Sequence, residues 1–244
     1  MNHRAYTKRN LRKSFLESFF SNLSITGWLI LVNVIFFVIV LFFVAFNHEF
    51  FDFIALKPSY ILQGKYLWTL ITHMFMHAPG SAFLPFLSFH LFVNMFVLFS
   101  LGSLMERVIG RKRFLWFYFI SGIIAGLASV FLSGFFGYGL GEKIFGSPNI
   151  SAIGASGAIF AIAGLFVILL PKIRFSIIFF PFFSLPGYIM IPLVLFLTWI
   201  ASFYANLPIG NSAHFGGFLA GLVYGTYLRA KYRRKVVMLN RMIR

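Results

Sequence analysis

The sequence predicts an all-α polytopic membrane protein with six spans and both termini cytoplasmic, and three observations carry that prediction. Of 244 residues, 60% are hydrophobic and only 11% charged, against roughly a quarter charged in soluble domains. The apolar residues gather into six stretches, at 27–46, 82–105, 114–134, 151–170, 186–204 and 212–228, each close to the roughly 20 residues that cross a hydrocarbon core. Of the 21 Lys and Arg, only Lys57, Lys65 and Lys143 fall on one side of that path. The positive-inside rule therefore puts both termini on the cytoplasmic side.

Residues 1–26 form a basic cytoplasmic tail. The span behind it lacks a small-residue cleavage site and is too long for a signal-peptide core, so it reads as a retained anchor. The first loop, about 47–81, is aromatic and nearly uncharged, which suits a segment lying partly in the outer interface. Arg107, Arg111, Lys112 and Arg113 follow the second span, and Trp28 and Trp116 fit a cytoplasmic-side aromatic belt. Lys172 and Arg174 follow the fourth span. The uncharged run from Phe175 to Leu228 is too long for one span and is interrupted by Pro181, Pro186, Pro192, Pro208 and Gly210-Asn211, so it makes two. Residues 27–228 thus form a single membrane domain, and 229–244 a second basic tail. That tail meets anionic lipid headgroups, and no nucleic-acid partner is expected.

Composition narrows the chemistry. With no Cys there is no disulfide, no thiolate metal site and no cysteine nucleophile. The five carboxylates, Glu17, Glu49, Asp52, Glu106 and Glu142, are too few for a carboxylate-clustered metal site or a paired-aspartate protease. The sequence His48-Glu49-Phe50-Phe51-Asp52 lacks the second His of a zinc-protease motif. His73 and His77, four apart, are read as loop-anchoring hydrogen-bonding groups. No metal and no cofactor is called for.

Polar residues inside spans are costly and therefore informative. His90 and Asn94 share one face of the second span. Ser156 sits in Gly154-Ala155-Ser156-Gly157 near the start of the fourth, and His214 opens the sixth. Spans two, four and six all run from outside to inside, so the four residues lie at similar depth in the outer half of the bilayer. Gly217, Gly221 and Gly225 follow His214 at helical spacing, and Gly157, Ala161 and Gly164 lie beneath Ser156, stripes that let two backbones approach. A serine hydroxyl needs a base, and an imidazole within reach is the usual one. Acyl transfer also needs donors for a developing oxyanion. The side chains of His90 and Asn94 and the backbone N–H groups of Ala155 and Ser156 are available. Glu106 lies at the far end of its span, so a Ser-His dyad is expected instead of a triad. Taken alone, Gly-x-Ser-Gly in a membrane helix is most often a packing motif, and a lone His in a span most often structural. Nucleophile, base and donors at one depth on three helices is the stronger observation.

These residues resemble the rhomboid family of intramembrane serine proteases. Its Gly-x-Ser-Gly corresponds to Gly154–Gly157, its His-x-x-Gly-x-x-x-Gly to His214, Gly217 and Gly221, and its His-x-x-x-Asn to His90 and Asn94. Trp68-Thr69-Leu70-Ile71-Thr72 leading to Phe75 and His77, and Gly102-x-x-x-Glu106-x-x-x-Gly110, extend the resemblance over about 64–228. It implies a six-helix rhomboid-like bundle, Ser156 as nucleophile, His214 as base, His90 and Asn94 as oxyanion donors, and membrane-protein substrates cleaved near the extracytoplasmic face of the cell membrane. Three departures stand out. Thr69 replaces the family's usual Arg after the loop Trp, which bears on loop anchoring. Residues 78–87 are an insertion with Pro79, Gly80 and Pro85, expected to modify the loop over the site. Phe160 stands where a Tyr commonly packs on the catalytic His. A catalytically silent rhomboid-like binding or chaperone factor is the alternative reading, and a small transporter relaying protons through His90 and His214 a weaker one.

Overall fold

The computed structural model describes residues 22–47, 49–79, 88–177, 180–205 and 209–242. Most of the N-terminal tail and of the 78–87 insertion lie outside the described residues.

Helix α1, Ile25–Phe46, is apolar nearly all round. Thr26, Leu29, Asn33, Phe37 and Val40 are buried at helical spacing, while Val38, Ile39 and Phe42 stay exposed, as a lipid-facing surface requires. Its start is held from 80 residues away. The carboxylate of Glu106 accepts from the Ile25 and Thr26 amides at 2.9 and 2.8 Å and from the Thr26 hydroxyl at 2.8 Å. These amides lack intrahelical partners, and the positive helix end favours the charge.

The first loop is built of short helices, α2 (Glu49–Ile54), α3 (Pro58–Leu62) and α4 (Thr69–Thr72), followed by a 3₁₀ turn at His73–Phe75. Helix α5, Phe89–Ile109, starts later than the expected residue 82, because Ser88 caps it by accepting from the Leu91 amide at 3.0 Å. A π-helical turn interrupts it at Leu98–Gly102. Helix α6 is Arg111–Phe136 and α7 the short Leu140–Phe145.

Helix α8, Ser156–Leu169, is the central element, buried almost throughout between α6 and its later neighbours. It is shorter than the expected 151–170. Gly154 has φ +112°, outside any right-handed helix, and Ala152 is held extended by paired hydrogen bonds with Leu56 at 2.7 and 3.1 Å.

Two strands follow, a correction to the all-α expectation. β1 (Arg174–Ile177) pairs antiparallel with β2 (Phe180–Pro186), with Arg174 opposite Pro186 and Ser176 opposite Ser184. Pro181 and Pro186, read as span interruptions, keep this apolar segment out of a helix and leave extended pairing as the way to satisfy its backbone. Helix α9 is Gly187–Ala205, α10 is Asn211–Lys231 and α11 is Arg233–Met242. The residues read as a C-terminal tail thus contain a helix of their own. Among the described residues four helices, α1, α5, α6 and α9, are long and apolar enough to cross a membrane, and the chain is a mostly helical integral membrane protein.

Candidate active site

Ser156 is the first residue of α8, and the segment leading to it is pinned by the first loop. The Gly154 amide donates to the His73 carbonyl at 2.8 Å, just beyond the Leu56–Ala152 pairing. Among the described residues no side chain caps the helix, and Ala155 before it is fully buried. The opening N–H groups of α8, which no preceding turn can satisfy, therefore stand free of a side-chain cap beside the serine.

His214 lies in the first turn of α10, and its Nε2 is 2.8 Å from Ser156 Oγ, so the hydroxyl can donate to the imidazole. Phe160, one turn along α8, stacks on the His214 ring at 4.4 Å between centroids and 27° between planes. His214 Nδ1 is buried with no partner among the described residues, so no acid supports the imidazole there.

The dyad distance depends on how closely α8 and α10 pack. A Cβ on Gly217 would stand 2.0 Å from the Gly157 carbonyl oxygen, one on Gly221 2.0 Å from that of Ala161, and one on Gly164 2.3 Å from that of Phe218. Side chains larger than hydrogen are excluded there. Gly157 also faces Ala125 of α6, where a Cβ would come within 2.7 Å.

His90 comes to the same place from α5. A Cβ built on Gly154 would lie 3.0 Å from His90 Nε2 and 3.7 Å from Ser156 Oγ, so the missing methyl leaves open a small space that both groups border. Its place in Gly-x-Ser-Gly makes Gly154, with Gly157, Gly217 and Gly221, an expected helix-packing residue near the site. It stands instead in the turn before the helix, where its positive φ and the His90 ring both require glycine. The Ala78 amide donates to His90 Nδ1 at 3.3 Å, which leaves the ring proton on Nε2, facing the site. Asn94 sits one turn below, buried, with its amide donating to the His90 carbonyl at 2.8 Å and its Oδ1 without a partner among the described residues. Among the described residues it makes no hydrogen bond to Ser156 or His214.

His73 and His77 are loop residues. His73 Nδ1 bonds the Thr69 carbonyl at 2.7 Å, and His77 Nδ1 meets the Phe75 carbonyl at 3.3 Å. Burial pushes the His73 imidazole down to about 4, and burial together with neighbouring His90 pushes His77 down to about 3, so both are neutral. No group of three potential metal ligands occurs among the described residues. Thr69 is buried and its hydroxyl donates to the Tyr66 carbonyl at 2.8 Å. The loop is held elsewhere, by Trp68 Nε1 on the Phe53 carbonyl and Thr72 Oγ1 on the Ile54 carbonyl, both at 2.8 Å.

Sequence reasoning missed the support behind His214. Ser133 of α6 and Ser212 of α10 both donate to the Phe145 carbonyl, at 2.7 and 2.6 Å, and Trp199 of α9 donates to that of Ile144 at 2.6 Å. The end of α7 thus ties three helices together just before the histidine. Ser212, two residues from His214 at a helix start, was the visible sign.

Residues 64–231 match the Rhomboid domain family. The chain is 30% identical over 176 residues to "Rhomboid protein 1, mitochondrial" of Saccharomyces cerevisiae, covering 71% of this chain and 46% of that protein. It is 25% identical over 178 residues to "Rhomboid protease GlpG" of Haemophilus influenzae, covering 72% and 77%. The human "Presenilin-associated rhomboid-like protein, mitochondrial" is 30% identical over 147 residues, covering 60% and 36%. The chain therefore spans less than half the length of the yeast and human relatives. With the match running from the later part of the first loop through α5, α6, α8 and α10, the chain belongs to the rhomboid family.

Proposed function

We propose that this protein is an intramembrane serine endopeptidase that hydrolyses peptide bonds in or near transmembrane segments of single-span or polytopic membrane proteins. The observation that carries this reading is the 2.8 Å contact between Ser156 Oγ and His214 Nε2 inside a membrane bundle. Ser156 attacks the scissile carbonyl as His214 takes its proton. His90 Nε2–H, the backbone N–H groups of Ala155 and Ser156, and Asn94 stabilise the oxyanion. His214 then gives the proton to the leaving amine, and water entering from outside hydrolyses the acyl-enzyme. Asn94 reaches the oxyanion only by turning from its bond to the His90 carbonyl.

The helices α1, α5, α6, α8, α9 and α10 are proposed as six spans, with residues 1–26 and 229–244 cytoplasmic and the site facing the extracytoplasmic side of the cell membrane. Charge asymmetry supports the orientation, with Lys57, Lys65 and Lys143 alone on the opposite side. A scissile bond in an intact helix has its carbonyl engaged, so substrates with small or helix-weakening residues are preferred. The test is cleavage of a single-span substrate in liposomes by wild type, Ser156→Ala and His214→Ala. Wild-type cleavage with both folded variants silent, a loss of at least about 10³-fold, is expected. Substrate binding without cleavage by wild type would favour the silent binding factor.

A further inference from the structure

Helix α11 has two unlike faces. Val236 and Leu239 pack inward against the main hydrophobic core, and Asn240 Nδ2 donates to the Leu169 carbonyl at 2.7 Å and to that of Val236 at 2.8 Å. Leu169 is the last residue of the helix that Ser156 begins, and its carbonyl has no acceptor role further along that helix. The outer face mixes charge with exposed apolar side chains: Arg234, Met238, Arg241 and Met242 follow one another at helical spacing, flanked by Arg233 and Lys235. Met238 is 62% and Met242 81% exposed.

Among the described residues these cations have no carboxylate partner. Among the described residues the ion pairs are Lys57–Asp52 and Arg111–Glu106, both elsewhere. More positive charge converges instead: Arg113 donates to the Tyr232 hydroxyl at 2.9 Å, and Lys235 lies 5.9 Å from the same ring. Nucleic acid or an acidic soluble protein would answer the charge but leave the methionines in water. A headgroup layer answers both, with anions for Arg and Lys and the acyl boundary for Met.

We infer that α11 seats on anionic phospholipid headgroups of the adjoining leaflet through Arg234, Met238, Arg241 and Met242, and through Asn240 clamps the far end of the Ser156 helix. The reading stands apart from the proteolytic one, because neither lipid seating nor the clamp needs turnover.

The chain contains no cysteine, so Met238→Cys in the full-length protein gives a single site for an environment-sensitive label. The labelled protein is reconstituted in phosphatidylcholine vesicles with and without phosphatidylglycerol. Label emission is expected to shift to the blue and to be shielded from acrylamide only with the anionic lipid. Arg233→Gln/Arg234→Gln/Lys235→Gln/Arg241→Gln should lose that shielding, and Arg241→Gln alone should lose part of it. Hydrogen exchange at Phe166–Leu169 should slow in the anionic vesicles, and Asn240→Leu should abolish the slowing while leaving the label shielded. Equal acrylamide quenching in both compositions, or shielding that survives the fourfold substitution, overturns the lipid contact. Unchanged exchange in the anionic vesicles, or slowing that survives Asn240→Leu, overturns the clamp.

Discussion

Helices α1 and α8 are both uncharged and strongly apolar, yet α8 is enclosed by protein and α1 is exposed along most of its length. Hydropathy does not separate them. Size does: α8 carries Gly157, Ala158, Ala161, Ala163 and Gly164 where α1 carries Val38, Ile39, Phe42 and Phe43. Lipid tails are as apolar as Leu, so burial in a membrane gains little from hydrophobicity. It comes from close backbone packing and from polar groups that need partners. The core of such a chain is found by looking for its smallest and its most polar residues.

The sharpest way to break this contrast is Gly221→Leu. Its side chain would begin 2.0 Å from the Ala161 carbonyl oxygen, and we expect a loss of at least about 3 kcal/mol, measured as a collapse of the thermal midpoint in detergent. Gly154→Ala applies the same logic at the site. The methyl enters the space bordered by His90 and Ser156 and strains a φ of +112°, so cleavage should fall by at least about 100-fold while the helical circular dichroism is kept. Glu106→Gln tests the one core-like end of α1. Removing the charge from three hydrogen bonds to Ile25 and Thr26 should cost about 1–3 kcal/mol, read from chemical or thermal unfolding.

Acid should weaken the first loop. His73 stays neutral in the fold down to about 4, below its ordinary 6.5, so between those values the unfolded chain takes up a proton that the fold refuses. Stability is therefore full above pH 6.5 and falls as pH drops toward 4. The drop in thermal midpoint from pH 7 to pH 5 should shrink in His73→Gln. At the small end, Val38→Leu on the exposed face of α1 should change stability by no more than about 0.5 kcal/mol. A larger shift would show that this face is packed against something.

The legible parts of this chain are those that follow from spacing along one helix. His214, Gly217, Gly221 and Gly225 share a face by arithmetic, and His90 is placed by the depth of its span. What was hidden depends on partners far away in sequence. The start of α8 is set by Leu56 and His73, which hold Ala152 and Gly154 out of the helix. The role of Glu106 appears only when Ile25 and Thr26 are brought to it. Helix α11 read as a tail because Val236, Leu239 and Asn240 form a meaningful face only once the end of α8 lies beneath them. The hairpin was hidden because prolines announce an interruption without saying what replaces the helix.

Gly217 and Gly221 rest on carbonyl oxygens of the neighbouring helix with no side chain between. The two rods therefore meet at a hard stop, with nothing between them to compress or swing aside. The rods cannot move closer, but they can slide along one another, and since both carry their reactive group in the first turn, a slide of one residue, about 1.5 Å, already takes the pair out of register.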